Sequence, residues 1–578
     1  LIYMDNEKLE KIRHSLSHLM SMALVEKKYP QAGLGVGPAI EHGFYQDYDL
    51  PEAISEKDLE WIEKRMRELI AQKIKFVKSE ADFAEALKFY KHDPYKTEMI
   101  EGLKEAGEKK LSFYDSDWFH NLCAGPHVKN TSEIDPEAFK LMSVAGAYWR
   151  GSEKNKMLTR IYGVAFETKE ELDEYLKMLS EAEKRDHRKL GKELELFSFH
   201  DEGPGFPFFK PKGMVIWNQL LSYWREEHTQ AGYGEIKTPV MLSRDLWETS
   251  GHWENYRENM YETVIDEMEY AIKPMNCPGG MLLYSEGLHS YKELPLRWGE
   301  VGLVHRHELS GVLSGLFRVR TFHQDDAHIF MRPDQIKEEI LGVLKLVDKI
   351  YSTFGLGYHL ELSTRPAKSI GTDEAWATAT SGLKEALEAT GKPYKVNEGD
   401  GAFYGPKIDM HIKDAIGRTW QCGTIQLDMN LPERFNLHYV EKDGLEKRPV
   451  MIHRVIYGSL ERFFGILVEH YAGAFPVWLS PVQVMLIPVS AKHAEGAEKI
   501  KQELFDLGIR VEMDSADETL GNRVRKAAGR KIPYIVVVGD KEIASEDWMI
   551  RVRGVEKQEK MSQEKFLARV KKEIEERK

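Results

Sequence analysis

The stretch RHELSGVLSGLFRVRTFHQDDAHIF, Arg306–Phe330, follows the apolar run GLVH and ends in a second strand-like run, HIFM. Two strand-forming runs joined by a glycine-containing loop read as an antiparallel pair. Arg306, Glu308, Arg318 and Arg320 flank the loop. Forked guanidiniums neutralise phosphate bidentately, so such a pair can clamp a nucleotide triphosphate, with a structural salt-bridge network as the competing reading. The sequence holds no GxxxxGK[ST], so a bound nucleotide has to be held in this other way. Arg462, in GSLERFFGIL, lies on an apolar helical pattern, where a buried arginine needs an anionic partner.

Around this stretch, from Glu195 to Phe475, runs such as EIKTPVML and YHLELS alternate with helical segments and Gly-rich turns, as in a large α+β domain. Beyond Pro481, VQVMLIPVS, IRVEMD and YIVVVGD alternate with helices as βαβαβ units on a mostly parallel sheet. Upstream, Leu9–Lys28 reads as an amphipathic helix with Leu9, Ile12, Leu16, Leu19, Met20 and Ala23 on one face and His14 and His18 nearly opposite. Thr168 and Glu171 form a capping-box pattern opening a linker helix. The expected domains are 1–167, a linker helix 168–194, 195–478 and 479–578.

A chain of 578 residues has room for several cores, and 42% hydrophobic with 30% charged residues excludes collagen-like, disordered and membrane-embedded classes. No apolar run is long enough to cross a bilayer, and the opening LIYMDNEKLEKIRHSL is too charged for a secretory signal, so a soluble cytoplasmic protein is expected. Cys123, Cys277 and Cys422 form no CxxC pair, which fits a reducing compartment. The net charge of −13 announces no global field for nucleic acid, but residues 481–578 carry 20 Lys and Arg against 18 Asp and Glu. A polyanion is therefore expected to meet local patches, above all near the C-terminus.

Two clusters can carry further chemistry. HSLSH (His14, His18) and CAGPH (Cys123, His127) supply four nitrogen and sulfur donors that can hold a metal or a scissile ester; two surface histidines and an unrelated loop pair are the plainer reading. Cys277 in KPMNCPGG, His328 in QDDAHIF and His453 in MIHRVIYGS lack any fixed short spacing, so spacing alone does not make them ligands. Asp325 and Asp326 beside them read as a solvated turn. GLGVGP lacks the third glycine of a dinucleotide fingerprint, and in KMSQEK Ser562 reads as the N-cap of the last helix.

Together these segments resemble one family over nearly the whole chain: the threonyl-tRNA synthetases, class II aminoacyl-tRNA synthetases. GEIKTPVML with Pro239 is similar to class II motif 1, Arg306–Phe330 to motif 2, and PVMIHRVIYGSLERFFGILVEH to motif 3. NEGDGAFYGPKIDMHIKDAIGRTWQCGTIQLD is similar to the threonyl branch. The resemblance implies an α+β multidomain protein with an antiparallel-sheet catalytic domain, an N-terminal α+β editing domain and a C-terminal α/β anticodon-binding domain. The implied activity is ATP-driven activation of L-threonine to threonyl-adenylate, transfer to tRNA(Thr), and hydrolytic editing of mischarged seryl-tRNA(Thr). A homodimer is implied by motif 1, with no membrane partner. Many members also begin with a small ubiquitin-like domain, which has no counterpart in this sequence.

Carried over by motif, Arg306 grips the ATP α-phosphate, Glu308 lies near the adenine, Phe322 stacks on it, Arg318 reaches the γ-phosphate and Arg462 completes the clamp, with Mg²⁺ bridging phosphate oxygens. The family places one Zn²⁺ per subunit on the residues matching Cys277, His328 and His453. Threonine fills the open positions through its amino nitrogen and hydroxyl, Asp326 accepts from that hydroxyl, and Gln324, Tyr404 and Gln426 complete the amino-acid site. His252 lies near the terminal adenosine of the tRNA, and Lys407 and Gln421 near the adenylate. His14, His18, Lys96, Cys123 and His127 line the editing pocket, read as metal-free, and Asn121 stands where many members carry Asp. Glu542 and Arg551 match base-reading positions of the anticodon domain, and Asp517 stands where a relative has Asn. A seryl or prolyl relative does not generally share the Cys277, His328, His453 set. A paralogue that has lost activation would not need Arg306, Arg318 and Arg462, and a hydrolase working through the N-terminal domain alone is a third reading.

Overall fold

Eight strands build the sheet that carries the quoted stretch: β1 (Gly234–Glu235), β2 (Leu296–His305), β3 (Thr321–Met331), β4 (Gly357–Ser363), β5 (Tyr394–Asn397), β6 (Lys407–Lys413), β7 (Thr419–Asp428) and β8 (Val450–Val455). Their spatial order is β1-β2-β3-β8-β7-β6-β4-β5. The six central strands are antiparallel, while β1 and β5 join their neighbours in parallel. β2 and β3 are the antiparallel pair expected around the motif-2 loop, in register from Leu296 opposite Phe330 to His305 opposite Thr321. The computed structural model describes residues 6–514, 517–544 and 547–578, and the chain divides between Ser180 and Glu181 into two compact units.

Helices pack on one face of the sheet, and β4 and β6 alternate accordingly, turning Leu360, Leu362, Ile408, Met410 and Ile412 to the core. Every residue of β8 is buried. The helix Ile336–Thr353 turns Ile336, Ile340, Val343, Val347 and Ile350 inward as one stripe. They join Leu360, Leu362, Ile408, Met410, Ile412, Ile425 and Leu427 of the sheet in a single core.

EIKTPVML is not one strand. Gly234–Glu235 pairs with β2, Met241–Ser243 belongs to a separate three-stranded sheet, and Pro239, with no N–H to give a ladder, stands between them. Thr238 there donates its N–H (2.8 Å) and hydroxyl (2.9 Å) to the buried Glu300 carboxylate, which also takes Lys273 Nζ at 3.0 Å. The expected linker helix is two, Lys169–Arg185 and His187–Glu193, broken at Asp186, whose carboxylate caps the second by accepting from the Arg188 N–H.

The last residues form a five-stranded sheet. Val511–Met513, Val484–Pro488 and Tyr534–Val538 are the parallel strands expected, and Asp547–Val552 and Glu559–Ser562 extend them as an antiparallel hairpin. Ser562 caps the final helix, Gln563–Glu575, accepting from the Lys565 N–H at 3.3 Å.

In the first unit, the helix Asn6–Lys27 packs against the five-stranded sheet that includes Gly43–Asp49, Phe139–Tyr148 and Met157–Ala165. The sequence reading gave this helix a polar side away from the core, and here the structure differs: Ser15, Ser17, His18 and Ser21 are all at most 2% exposed. Ser15 and Ser21 donate their hydroxyls to the carbonyls of Lys11 and Ser17, which lets a polar face be buried with its donors satisfied.

Candidate functional site

Cys277 starts the helix Cys277–Ser285, where Pro278 is tolerated because first-turn N–H groups have no helical partner. His328 on β3 and His453 on β8 face each other across neighbouring strands. One donor atom from each of the three residues falls within 4.8 Å of the others, and all three are at most 5% exposed. His453 Nε2 donates to the fully buried Asp428 at 2.9 Å, which leaves Nδ1 as the free ring acceptor. Neither ring nitrogen of His328 has a hydrogen-bond partner among the described residues. Burial holds the Cys277 thiol well above its ordinary range and the His328 imidazole well below. A buried thiol and two buried imidazoles, one of them an orphaned ring, are what a cation of soft or borderline character needs, and a three-residue set leaves coordination open. The residues fit zinc.

A cavity of about 330 Å³ opens beside them, lined among others by Cys277, Arg306, Gln324, Asp326, Tyr404, Gln426 and His453. The expectation of a solvated turn at Asp325 and Asp326 is corrected: both lie on β3, at 1% and 6% exposure. Asp325 accepts N–H groups from Ile456, Tyr457 and Gly458 at 2.8–3.3 Å, and burial still pushes its carboxyl up to about 7. Asp326, pushed up to about 6 by burial, accepts a hydrogen bond from Asn276 Nδ2 at 3.4 Å, lies 3.8 Å from His328 Nε2, and lines the cavity. Gln324 Oε1 is buried with no hydrogen-bond partner among the described residues, and the Tyr404 hydroxyl donates to Gln426 Oε1. His252 does not line the cavity. It is fully buried, held by Ser250 Oγ at 2.8 Å, and its Nε2 lies 4.0 Å from Cys277 Sγ.

The motif-2 arginines are arranged in two ways. Arg306 lies over the Phe322 ring at 5.0 Å and gives Nε to the Pro274 carbonyl at 3.2 Å. Arg318, half exposed, pairs with Glu308 at 3.0 Å, whereas Arg320 is bound to the Glu308 and Pro204 carbonyls. Arg462 departs from the expectation of a buried cation with an anionic partner. It is half-buried and is held by carbonyls, Nε on Phe317 at 2.9 Å and Nη1 on Gln421 at 3.2 Å, which leaves its charge unneutralised.

Lys407 and Gln421 meet on a residue that sequence reasoning missed. Asp409, 2% exposed, accepts from Lys407 Nζ (2.6 Å), Gln421 Nε2 (2.7 Å), Thr424 Oγ1 (3.0 Å) and Ser363 Oγ (3.0 Å). The alternation Lys407, Asp409, His411 on β6 was its only sequence signal, since three polar residues at period two mark a face other than the core.

In the first unit, His14, His18, Cys123 and His127 do converge, one donor atom each within 4.8 Å. Cys123 Sγ lies 3.3 Å from His14 Nε2 and 3.2 Å from His127 Nε2. His18 Nε2 lies 3.2 Å from the Asn121 amide nitrogen, and its Nδ1 has no hydrogen-bond partner among the described residues. Burial lowers all three imidazoles, His127 to about 2, and raises the thiol. Lys96, 3% exposed in the helix Pro94–Glu105, is pulled down by burial to about 8, with Asp93 and Cys123 opposing. In the C-terminal sheet Glu542 and Arg551 line one groove of about 690 Å³, whereas Asp517 is exposed and is not one of its lining residues.

Residues 261–471 match the family described as tRNA synthetase class II core domain (G, H, P, S and T), 483–573 the anticodon binding domain, and 111–162 the threonyl and alanyl tRNA synthetase second additional domain. The threonine–tRNA ligase of Desulfosudis oleivorans is 58% identical over 99% of this chain and 88% of that protein, and that of Clostridium tetani 55% identical over 100% and 90%. Among solved structures, the RNA-binding domain of the threonyl-tRNA synthetase from Cryptosporidium parvum Iowa II aligns with a TM-score of 0.65 at 42% identity, over 67% of this chain and 98% of that one. A prolyl-tRNA synthetase from the same organism shares the fold at 16% identity and a TM-score of 0.52, over 68% of this chain and 75% of that one. Full-length identity well above half, with all three domain matches in order, shows that the chain belongs to the threonine–tRNA ligases, class II synthetases that use ATP with Mg²⁺ to join threonine to tRNA and carry a domain associated with editing.

Proposed function

We propose that Cys277, His328 and His453 hold one Zn²⁺ per chain, and that Asp326 beside them reads the threonine hydroxyl. The observation that carries this is the doubly orphaned, buried ring of His328 next to a buried thiol at the wall of the cavity. When bound, the metal supplies a Lewis-acidic centre for the amino acid's amine and hydroxyl. Asp326 accepts a hydrogen bond from the substrate hydroxyl, Gln324 and the Tyr404–Gln426 pair orient the amino acid, and Asp428 fixes the His453 tautomer. Arg306, Arg318 and Arg462 neutralise triphosphate, Glu308 and Phe322 bound the adenine, and Lys407 and Gln421, positioned by Asp409, attend the adenylate. The threonine carboxylate then displaces pyrophosphate at the α-phosphorus, a step that needs positioning and charge neutralisation more than a protein base. His252 serves the later transfer to tRNA(Thr).

Valine is isosteric with threonine but leaves Asp326 unpaired, a loss that discriminates by about 10⁴ or more, whereas serine lacks only a methyl and is rejected by about 10 to 200-fold. That shortfall gives His14, His18, Lys96, Cys123 and His127 their role as a hydrolytic pocket for seryl-tRNA(Thr), with Glu542, Arg551 and Asp517 on the anticodon side. The protein acts as a cytoplasmic homodimer in this reading, which sedimentation at the monomer mass would reject; no described helix is long and apolar enough to cross a membrane. ATP–pyrophosphate exchange with threonine, serine and valine tests the amino-acid site. The expected result is strong, weak and no exchange respectively, with loss on chelation and recovery with zinc. Unchanged exchange after the metal has been stripped would refute the zinc reading.

A further inference from the structure

The sheet face that carries Lys407, Asp409 and Gln421 continues outward to a second set of nitrogen and oxygen donors. His359 and Glu361 lie two residues apart on β4, so their side chains share a face, and His411 on β6 stands directly opposite His359 in the antiparallel register. The two imidazoles are stacked, with centroids 4.9 Å apart and planes 13° from parallel. Each directs Nε2 at a different oxygen of the same carboxylate: His359 lies 3.5 Å from Glu361 Oε1, and His411 lies 3.7 Å from Glu361 Oε2. Both separations are longer than an ordinary N–H···O bond, so the carboxylate lies between two ring nitrogens without being closed onto either. One donor atom from each of the three falls within 4.8 Å of the others. Glu361 and His411 are half-buried and His359 is exposed, so the set is backed by the sheet and open on its outer side.

An ion pair between a carboxylate and two partly exposed histidines stabilises little and does not require both rings to converge. Convergence of two imidazoles and one carboxylate on a common point is the donor set of a divalent ion. Magnesium and calcium favour oxygen ligands throughout, whereas imidazole nitrogen selects zinc, nickel, cobalt or copper. Two neighbouring strands carry all three ligands, and three protein ligands leave positions for water or for an anion from solvent.

We infer that His359, Glu361 and His411 form a second metal site, for a divalent late-transition ion such as Zn²⁺ or Co²⁺, separate from the set of Cys277, His328 and His453. The test is the metal content of the full-length protein after equilibrium dialysis against micromolar Zn²⁺, in the wild type and in the His359→Gln/His411→Gln variant. The variant is expected to retain one equivalent fewer per chain. Equal stoichiometry would overturn the inference. Titration with Co²⁺ provides a second reading, because a nitrogen and oxygen site adds visible ligand-field absorption without a thiolate-to-cobalt charge-transfer band in the near ultraviolet. That increment is expected in the wild type and absent in the double variant. Glu361→Gln keeps both rings and is expected to weaken the extra equivalent by at least about tenfold, since even outer-shell partners of a metal carry that much affinity. Full affinity in that variant would show that the carboxylate is no ligand and would also sink the proposal. Coincident thermal unfolding of all three proteins in chelator establishes that the differences are not those of misfolded chains.

Discussion

Lys96 is a residue whose surroundings alter its ordinary chemistry. Its ammonium is buried beside Cys123 with Asp93 as the nearest opposing charge, and it loses its proton near pH 8 in the folded chain against about 10.5 when unfolded. Between those values the unfolded chain binds more protons than the folded one, so stability rises with pH across that window and is lowest below it. Lys96→Met is therefore expected to stabilise the protein at pH 7 and to abolish the rise from pH 8 to 10, as read by urea unfolding at a series of pH values. A flat profile in the wild type would contradict the burial argument. Asp326 makes the complementary case, an acceptor with almost no protein donors of its own. Removing its charge as Asp326→Asn is expected to lower kcat/KM for threonine by about 10 to 100-fold, the worth of one hydrogen bond to a charged group, and to narrow the preference over valine, as measured by pyrophosphate exchange.

Among the elements, the helix Leu460–His470 shows how Arg462, proposed above to neutralise triphosphate, is held. Ser459 caps it by accepting the Arg462 N–H at 3.1 Å, and the Ser459 hydroxyl donates to Glu461 at 3.2 Å while Glu461 accepts the N–H of His323 on β3. Ser459→Ala should cost about 1 kcal/mol of stability as a lost cap and raise KM for ATP more than it lowers kcat, since Arg462 leaves the first turn. An unchanged KM for ATP would mean that the cap does not position Arg462. The same helix marks the limit of sequence reading. Its apolar periodicity was legible, but the face on which Arg462 emerges was not, because half-burial depends on the carbonyls of Phe317 and Gln421 from two distant segments. Pro239 was read as part of a strand run; a missing N–H decided otherwise. Cys277, His328 and His453 were invisible to spacing because the sheet order, not the chain order, sets β3 beside β8. Only the resemblance raised them, and Asp428, the partner of His453, was raised by nothing, being an ordinary acidic residue until strands bring a donor to it.

For the whole molecule, the two groups of candidate functional residues lie in different compact units, each with its own core. His127→Ala is accordingly expected to reduce deacylation of seryl-tRNA by more than about 10²-fold, as the loss of a group that helps orient or activate the attacking water, and to leave pyrophosphate exchange within twofold. A parallel loss of both activities would indicate a folding defect shared by the units. The strand order has one more consequence, and it concerns the making of the protein. Val450–Val455 is the last strand of its sheet to be synthesised, yet it occupies a central slot between Thr321–Met331 and Thr419–Asp428. Until it arrives, those two neighbours face each other with bare edges, one half of the histidine pair is missing, and the loop that satisfies Asp325 has not been made. The set of Cys277, His328 and His453 is thus incomplete until nearly all of the catalytic sheet has left the ribosome, and the open inner edges are the place where a holding chaperone would be needed.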